Sequence, residues 1–155
     1  MMYYFVTVLV LLIDQFTKYL VVANMQIGDS VTVIPGFLYL TSYRNTGAAW
    51  SILEGKMWLF YVITVIVVMI IIYIMQKYAK GHPLFSTSLA LVLGGAIGNF
   101  IDRLLHQEVV DFISTVFGHY YFPIFNIADT ALSIGVVLLL IYIFISDSKA
   151  KGTGK

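Results

Sequence analysis

Apolar residues occupy four long stretches of the chain, separated by segments that contain most of the polar residues. The stretches cover about Met2–Ala23, Met57–Met75, Leu84–Ile101 and Ile127–Ile145. Each is close to the ~20 residues that an α-helix needs to cross about 30 Å of hydrocarbon. A closed β-barrel would instead show alternation in segments of about ten residues, which the chain lacks. The pattern predicts an all-α membrane protein of four transmembrane helices, forming a single domain over residues 1–155.

The first apolar stretch has an alternative interpretation as a secretory signal peptide. No basic residue precedes it, no small-x-small cleavage site follows it, and Asp14 and Lys18 interrupt it. These features are atypical of a signal peptide, so we expect a retained helix.

The two longer connections, residues 24–56 and 102–126, have patterns of their own. Val31–Ile34 and Phe37–Tyr43 are rich in β-branched and aromatic residues and flank Pro35-Gly36, which predicts a small β-hairpin or sheet. Val109–Phe122 mixes apolar and polar residues without a clear period, and we expect an amphipathic segment lying on the membrane surface. Residues 146–155 are expected to form a short, flexible tail.

The distribution of lysine and arginine predicts the orientation in the membrane. The turn between the second and third helices contains Lys77 and Lys80, and the tail contains three further lysines. On the opposite side, the basic residues are spread over two longer segments. We therefore expect a multi-pass plasma-membrane protein with both termini in the cytoplasm and with residues 24–56 and 102–126 outside.

Composition supports the membrane assignment and excludes several functions. Hydrophobic residues make up 60% of the chain and charged residues 11%, against about 45–50% and about 25% in soluble domains. The net charge is +1 and no basic stripe is present, so a nucleic-acid partner is not expected. The chain has no cysteine, and its three histidines lack metal-ligand spacing, so neither a metal nor another cofactor is expected.

Ionisable residues inside the apolar stretches need an explanation, because a charge at the bilayer centre costs about 2.5–3.5 kcal/mol on insertion scales. Asp14, Thr17 and Lys18 share one face of the first helix, and Asp14 can pair with Lys18. That ion pair could simply fix helix packing. Gly94 and Gly98 form a G-x-x-x-G motif, which lets another helix approach closely but by itself indicates only packing.

Further polar residues lie where the third helix ends and the fourth begins. They recur at helical spacing: Gly95, Asn99, Asp102 and Arg103 on the third helix, and Asn126, Asp129 and Ser133 on the fourth. In the expected orientation these residues, Asp14 and Asp111 can meet in the outer half of the bilayer. Arg103 has an alternative role, in which it extends to the lipid headgroups.

Two carboxyl groups brought together in a low-dielectric site share one proton. The ionised group can then take a proton from water while the protonated group polarises a carbonyl, which is aspartic peptidase chemistry. Spacing leaves four candidates, Asp14, Asp102, Asp111 and Asp129. A proton-coupled transporter would use similar residues. A non-catalytic assembly subunit built on the G-x-x-x-G face is a third possibility.

Five motifs, in order along nearly the whole chain, carry a family resemblance. They are Asp14–Lys18, Asn45–Ser51, Gly94–Arg103, Val110–Phe112 and Phe125–Asp129. With these motifs the chain resembles the prolipoprotein signal peptidases (signal peptidase II), bacterial membrane enzymes that remove signal peptides from lipid-modified prolipoproteins. Trp50 departs from the family pattern, which more often has phenylalanine there.

The resemblance implies a catalytic pair, Asp111 and Asp129, with no cofactor. Asp102 would be a supporting residue that holds Arg103 or the helix end. The other matching positions imply a site lined or supported by Asp14, Lys18, Asn45, Gly95, Asn99, Arg103 and Asn126.

The resemblance also implies how substrate meets the site. The family's substrates carry a diacylglyceryl group on a cysteine and are cut just before it, so the implied partners are such prolipoproteins and membrane lipids. Gly95 would leave room for a substrate helix beside the third helix. Asn45–Trp50 would form a platform or lid over the site. We expect the enzyme to act as a monomer.

Overall fold

The computed structural model describes residues 2–47 and 56–152 of the chain. Within these residues lie four α-helices and four β-strands. In chain order they are α1 (Met2–Asn24), β1 (Ser30–Ile34), β2 (Leu38–Asn45), α2 (Met57–Tyr78), α3 (Pro83–His106), β3 (Val109–Phe117), β4 (Tyr120–Tyr121) and α4 (Ile127–Gly152).

All four helices are long and apolar enough to cross a membrane, which confirms the predicted architecture. All four extend beyond the predicted limits, α3 and α4 by the most residues. α3 continues past Ile101 to His106 and is closed by Gln107 in the left-handed conformation, at φ 60°. α4 continues to Gly152, so the flexible tail expected for residues 146–155 is helical over most of its length. The hydrogen bonds of a helix join backbone groups of the same segment, so a helix can continue into a polar sequence beyond its apolar stretch.

α3 is the central helix and packs against each of the other three. A Cβ at Gly94 would lie 2.9 Å from the Cβ of Val10, and one at Gly98 would lie 2.7 Å from Asp14 Oδ2. The close helix approach predicted from the G-x-x-x-G motif is thus confirmed, and the approaching helix is α1. Gly95 faces α4 instead, where a Cβ would collide with the carbonyl oxygen of Ala128. The expectation that Gly95 leaves room for substrate is therefore wrong, because α4 of the same chain fills that space.

The strands form one antiparallel sheet in the order β1-β2-β3-β4. The predicted hairpin around Pro35-Gly36 is confirmed as β1 and β2. The amphipathic surface segment expected over Val109–Phe122 is wrong, because β3 and β4 occupy it. Residues 109–112 of β3 are all buried, so side chains on both faces of the strand are hidden from solvent and the alternation typical of a half-exposed strand is lost.

The sheet is anchored to the helices at the end of the bundle where α1 and α3 finish and α4 begins. Val21 of α1 packs against Val110 and Phe112 of β3 in a small buried cluster. β3 follows α3 after a two-residue connection, and its register with β2 sets Tyr43 opposite Asp111. This arrangement brings the carboxyl-bearing strand against the helix ends.

We predict that Gly95→Ala destabilises the bundle by about 1–3 kcal/mol, the usual cost of overpacking. The added methyl would push α4 away from α3, because the opposing atom belongs to the backbone. Thermal unfolding in detergent measures the effect. Val137→Ala, at an exposed position of α4, is the control and should change stability far less. A Gly95→Ala protein as stable as the wild type would contradict the packing.

Candidate active site

Asp111 is buried on β3, with 1% of its surface exposed. Its Oδ2 accepts a hydrogen bond of 2.9 Å from Asn45 Nδ2, at the end of the neighbouring strand β2. Its Oδ1 accepts a 2.7 Å bond from Asn126 Nδ2, at the start of α4. The sheet register and the start of α4 together therefore fix both oxygens of this carboxyl group.

Asp129 lies in the first turn of α4, where it forms a reciprocal cap with Asn126. The Asp129 backbone N–H donates to Asn126 Oδ1 at 2.9 Å, and the Asn126 N–H donates to Asp129 Oδ2 at 3.1 Å. This is the capping-box arrangement, with asparagine and aspartate in place of the usual residues. Because Asn126 Oδ1 is engaged by the cap, its NH₂ group is directed at Asp111. One residue thus contacts both carboxyl groups.

Asn99 of α3 holds the other oxygen of Asp129. Its Nδ2 donates to Asp129 Oδ1 at 2.7 Å. Its Oδ1 accepts from Asn126 Nδ2 at 3.1 Å and from Lys18 Nζ at 3.0 Å. Asn99 therefore joins the carboxyl pair to a second charged cluster behind it.

That second cluster is an ion triad of Asp14, Lys18 and Asp102. Lys18 Nζ lies 2.8 Å from Asp14 Oδ2, which confirms the predicted pair, and 2.9 Å from Asp102 Oδ2. Asp102 was expected to hold Arg103 or the helix end. It accepts hydrogen bonds from Gln15 Nε2 and from the N–H of Val110, just beyond α3. Asp102 therefore holds the chain at the end of α3, as one alternative expected. It pairs with Lys18 rather than with Arg103, because Lys18 of α1 faces Asp102 across the helix interface.

Arg103 points into the protein rather than toward headgroups. Its Nη2 donates to the carbonyl of Gly47 at 3.1 Å, and its guanidinium lies 4.5 Å from the centre of the Phe60 ring. The hydroxyl of Tyr61 donates to the Arg103 carbonyl at 2.8 Å. Two residues of α2 thus support Arg103, and the interpretation in which it extends to the lipid is not the one observed.

A cavity of about 760 Å³ opens beside the carboxyl pair. This volume lies within the range typical of ligand sites. Its polar end is lined by Asn45, Asn99, Arg103, Asp111 and Asp129. Its apolar walls come from α2, α4 and the segment before α4, and include Phe60, Ile63, Val67, Phe122, Leu132 and Ile134. The carboxyl pair therefore faces a mainly apolar space within the helix bundle. Ser133, predicted one turn deeper than Asp129, also lines it.

The platform expected over Asn45–Trp50 falls partly on residues 48–55, which lie outside the described residues. Its first part is ordered by the Gly47 N–H, which donates to Asn45 Oδ1 at 2.9 Å. Across residues 2–47 and 56–152, no three His, Cys, Asp or Glu side chains are grouped to hold a metal ion.

Burial raises the pKa of Asp111 from its ordinary value of 3.8 to about 7. The charge of Asp129 adds to this rise, while the hydrogen bonds from Asn45 and Asn126 and the charge of Lys18 oppose it. Desolvation thus outweighs the hydrogen bonds that favour the ionised form. Near neutral pH this carboxyl group can both hold and release a proton.

Sequence reasoning missed three residues of the site region. Gln15 donates to Asp14 and Asp102, at 3.2 and 2.9 Å, and so tightens the ion triad. A polar residue inside an apolar helix is itself a signal, and it could have identified Gln15. Phe60 and Tyr61 gave no such signal, because aromatic residues are ordinary in a transmembrane stretch.

Comparison with known proteins identifies the family of this chain. A family model described as signal peptidase (SPase) II matches residues 6–145. A "Lipoprotein signal peptidase" of Listeria monocytogenes serotype 4a is 71% identical, covering 98% of this chain and 99% of its own. One of Bacillus pumilus is 54% identical, covering 97% of each.

Two solved structures described as bacterial membrane enzymes share the fold. One is 47% identical with a TM-score of 0.91, covering 96% of this chain and 90% of the other. The second is 49% identical with a TM-score of 0.84, covering 92% of each. The chain belongs to the signal peptidase II family, and it is therefore a peptidase of lipoprotein processing.

Proposed function

We propose that this protein cleaves the signal peptide from diacylglyceryl-modified prolipoproteins, just before the lipidated cysteine, by an aspartic mechanism. The observation that carries the proposal is the bridging of Asp111 and Asp129 by one residue, Asn126, at the polar end of an apolar cavity. Two carboxyl groups held in this way share a proton, as in aspartic peptidases.

The reaction needs only water and the two carboxyl groups. The ionised carboxylate takes a proton from water, and the resulting hydroxide attacks the scissile carbonyl carbon. The protonated carboxyl group donates its proton to the carbonyl oxygen, giving a neutral tetrahedral diol. When the C–N bond breaks, the amine nitrogen takes the proton held by the carboxyl group that deprotonated the water. The other carboxylate takes the proton of the diol hydroxyl that becomes the new carbonyl, so the pair remains singly protonated. The raised pKa of Asp111 supports this scheme, because both forms are then accessible near neutral pH.

The remaining site residues supply orientation. Asn45, Asn99 and Asn126 donate to carboxyl oxygens and hold the pair in a fixed geometry. Arg103 presents a guanidinium to the same cavity, where it can bind a peptide carbonyl or an ester oxygen of the lipid. The apolar walls suit a signal peptide and the acyl chains of the substrate.

We propose that the site lies near the outer face of the membrane, with both termini in the cytoplasm and with the monomer as the active form. Lys77 in the last turn of α2 and Lys80 between α2 and α3 lie at the end of the bundle opposite the sheet. The positive-inside rule assigns that end to the cytoplasm.

We predict that Asp111→Asn and Asp129→Asn each lower cleavage by about 10²–10⁴-fold, the contribution typical of general acid–base catalysis. The assay is the size shift of a lipidated precursor peptide in detergent, with folding checked by thermal unfolding. Asp147→Asn makes the same change at an exposed carboxylate and should cleave normally. Cleavage should also resist chelators and serine reagents.

Two outcomes of this assay would contradict the proposal. Full activity of either folded Asn variant would remove its aspartate from the catalytic pair. Failure of the folded wild type to cut the precursor would favour a transporter or a non-catalytic subunit.

The pKa of Asp111 also predicts how stability varies with pH. The folded state binds the proton more tightly than the unfolded state, so its extra stability is complete below about pH 4 and is lost as pH rises to about 7. Relative to Asp111→Asn, the wild type should therefore lose thermal stability across this window. Unfolding temperatures of both proteins, measured at several pH values, test this. A constant difference between them would show that the pKa of Asp111 is not raised.

Orientation can be tested directly because the chain has no native cysteine. We predict that a membrane-impermeant maleimide labels His119→Cys, in the exposed β3–β4 turn, on intact cells. Lys80→Cys, between α2 and α3, should react only after permeabilisation. The opposite labelling pattern would invert the proposed topology.

A further inference from the structure

Two aspartates behind the site hold the backbone next to each proposed catalytic residue. Asp102 Oδ2 accepts a 3.2 Å hydrogen bond from the N–H of Val110, which precedes Asp111. Asp14 Oδ1 accepts a 2.8 Å bond from the N–H of Ala128, which precedes Asp129. The strand and the helix that carry the catalytic pair are thus each attached to a carboxylate of the ion triad.

Lys18 joins these two attachments. Its ammonium lies within 3.0 Å of Asp14, Asp102 and Asn99, and the side chain is almost fully buried. We propose that Lys18 is a positioning residue that sets the relation of Asp111 to Asp129 by clamping Asp14 to Asp102. This inference rests on the proposed aspartic mechanism and assigns Lys18 no contact with substrate.

The ammonium also fixes the orientation of an amide. An ammonium has three donors and no acceptor, so Asn99 must turn its oxygen toward Lys18. The NH₂ group of Asn99 then faces Asp129 Oδ1, at 2.7 Å. The opposite rotamer would set NH₂ against the ammonium and a carbonyl oxygen against a carboxylate. Lys18 therefore determines that Asn99 donates to Asp129.

The charge of Lys18 should also influence the titration of the carboxyl pair, which can be measured. In the described part of the chain, α1 contributes Asp14 and Lys18, and α3 contributes Asp102 and Arg103. The charge of Lys18 favours the ionised form of Asp111. Removal of that charge should therefore shift the titration of the carboxyl pair to higher pH, which a purely structural loss would not do.

The test is Lys18→Met, which keeps the length of the side chain but removes its charge. We expect kcat to fall about 100-fold, the effect of a misplacement of roughly 1 Å. KM should change by less than about threefold, because Lys18 does not line the cavity. Both limbs of the pH profile of kcat should move to higher pH. An unchanged kcat and pH profile would overturn the inference.

Thr7→Val is the matched control on the same helix. It removes the 3.1 Å hydrogen bond from Thr7 Oγ1 to the Ala90 carbonyl, another buried contact between α1 and α3. It should lower the unfolding temperature while leaving the pH profile unchanged. If this variant shifts the profile as Lys18→Met does, the effect comes from general loosening of α1, and the inference fails.

A second variant covers the case in which Lys18→Met leaves two buried carboxylates unpaired and does not fold. Lys18→Met combined with Asp102→Asn removes one charge of each sign. It should fold, yet retain the low kcat, because Asn99 has lost its ammonium partner. Wild-type kcat in this double variant would overturn the inference. Wild-type protein in the same assay separates the two claims, since its failure to cleave would defeat the proposed function itself.

Discussion

An ionised carboxylate in a low-dielectric setting must have a partner, and this protein buries three aspartates almost completely. Asp14, Asp102 and Asp111 are each no more than 4% exposed. Isolated ions in such a setting cost several kcal/mol each, so their positions must be fixed by opposite charge, hydrogen bonds or protonation. The structure meets this constraint in two ways. Asp14 and Asp102 share one ammonium, whereas Asp111 has a raised pKa and lies beside Asp129.

These two solutions divide the site into two layers, the ion triad of Asp14, Lys18 and Asp102 and the carboxyl pair of Asp111 and Asp129. The ion triad belongs to α1 and α3, which the small residues Gly94 and Gly98 bring close together. The carboxyl pair belongs to β3 and α4, which attach to the triad through backbone N–H groups. Helix packing, sheet register and site chemistry therefore depend on one another. A change in α3 that separates the helices would also separate the groups that the proposed mechanism needs.

The sequence predicts much of this arrangement, because its signals are local. Long apolar stretches identify the helices, and polar residues at helical spacing identify Asn99, Asp102 and Asp129. β3 was not predictable in this way, since burial of both faces removes the alternation on which strand recognition depends. The partner of Asp102 and the role of Gly95 also depend on which helix faces α3, which no local pattern specifies. Phe60 and Tyr61 contact Arg103 only in the folded protein, so no local pattern identifies them.

The central claim is that Asp111 and Asp129 share a proton near neutral pH. Infrared spectroscopy of the purified protein tests it directly, by following the band of protonated carboxyl groups across a pH titration. A shared proton predicts a carboxyl band in the wild type that disappears with a midpoint of about 7 and is absent from Asp111→Asn. A wild-type protein whose carboxyl bands all disappear near pH 4, where ordinary aspartates titrate, would contradict the account.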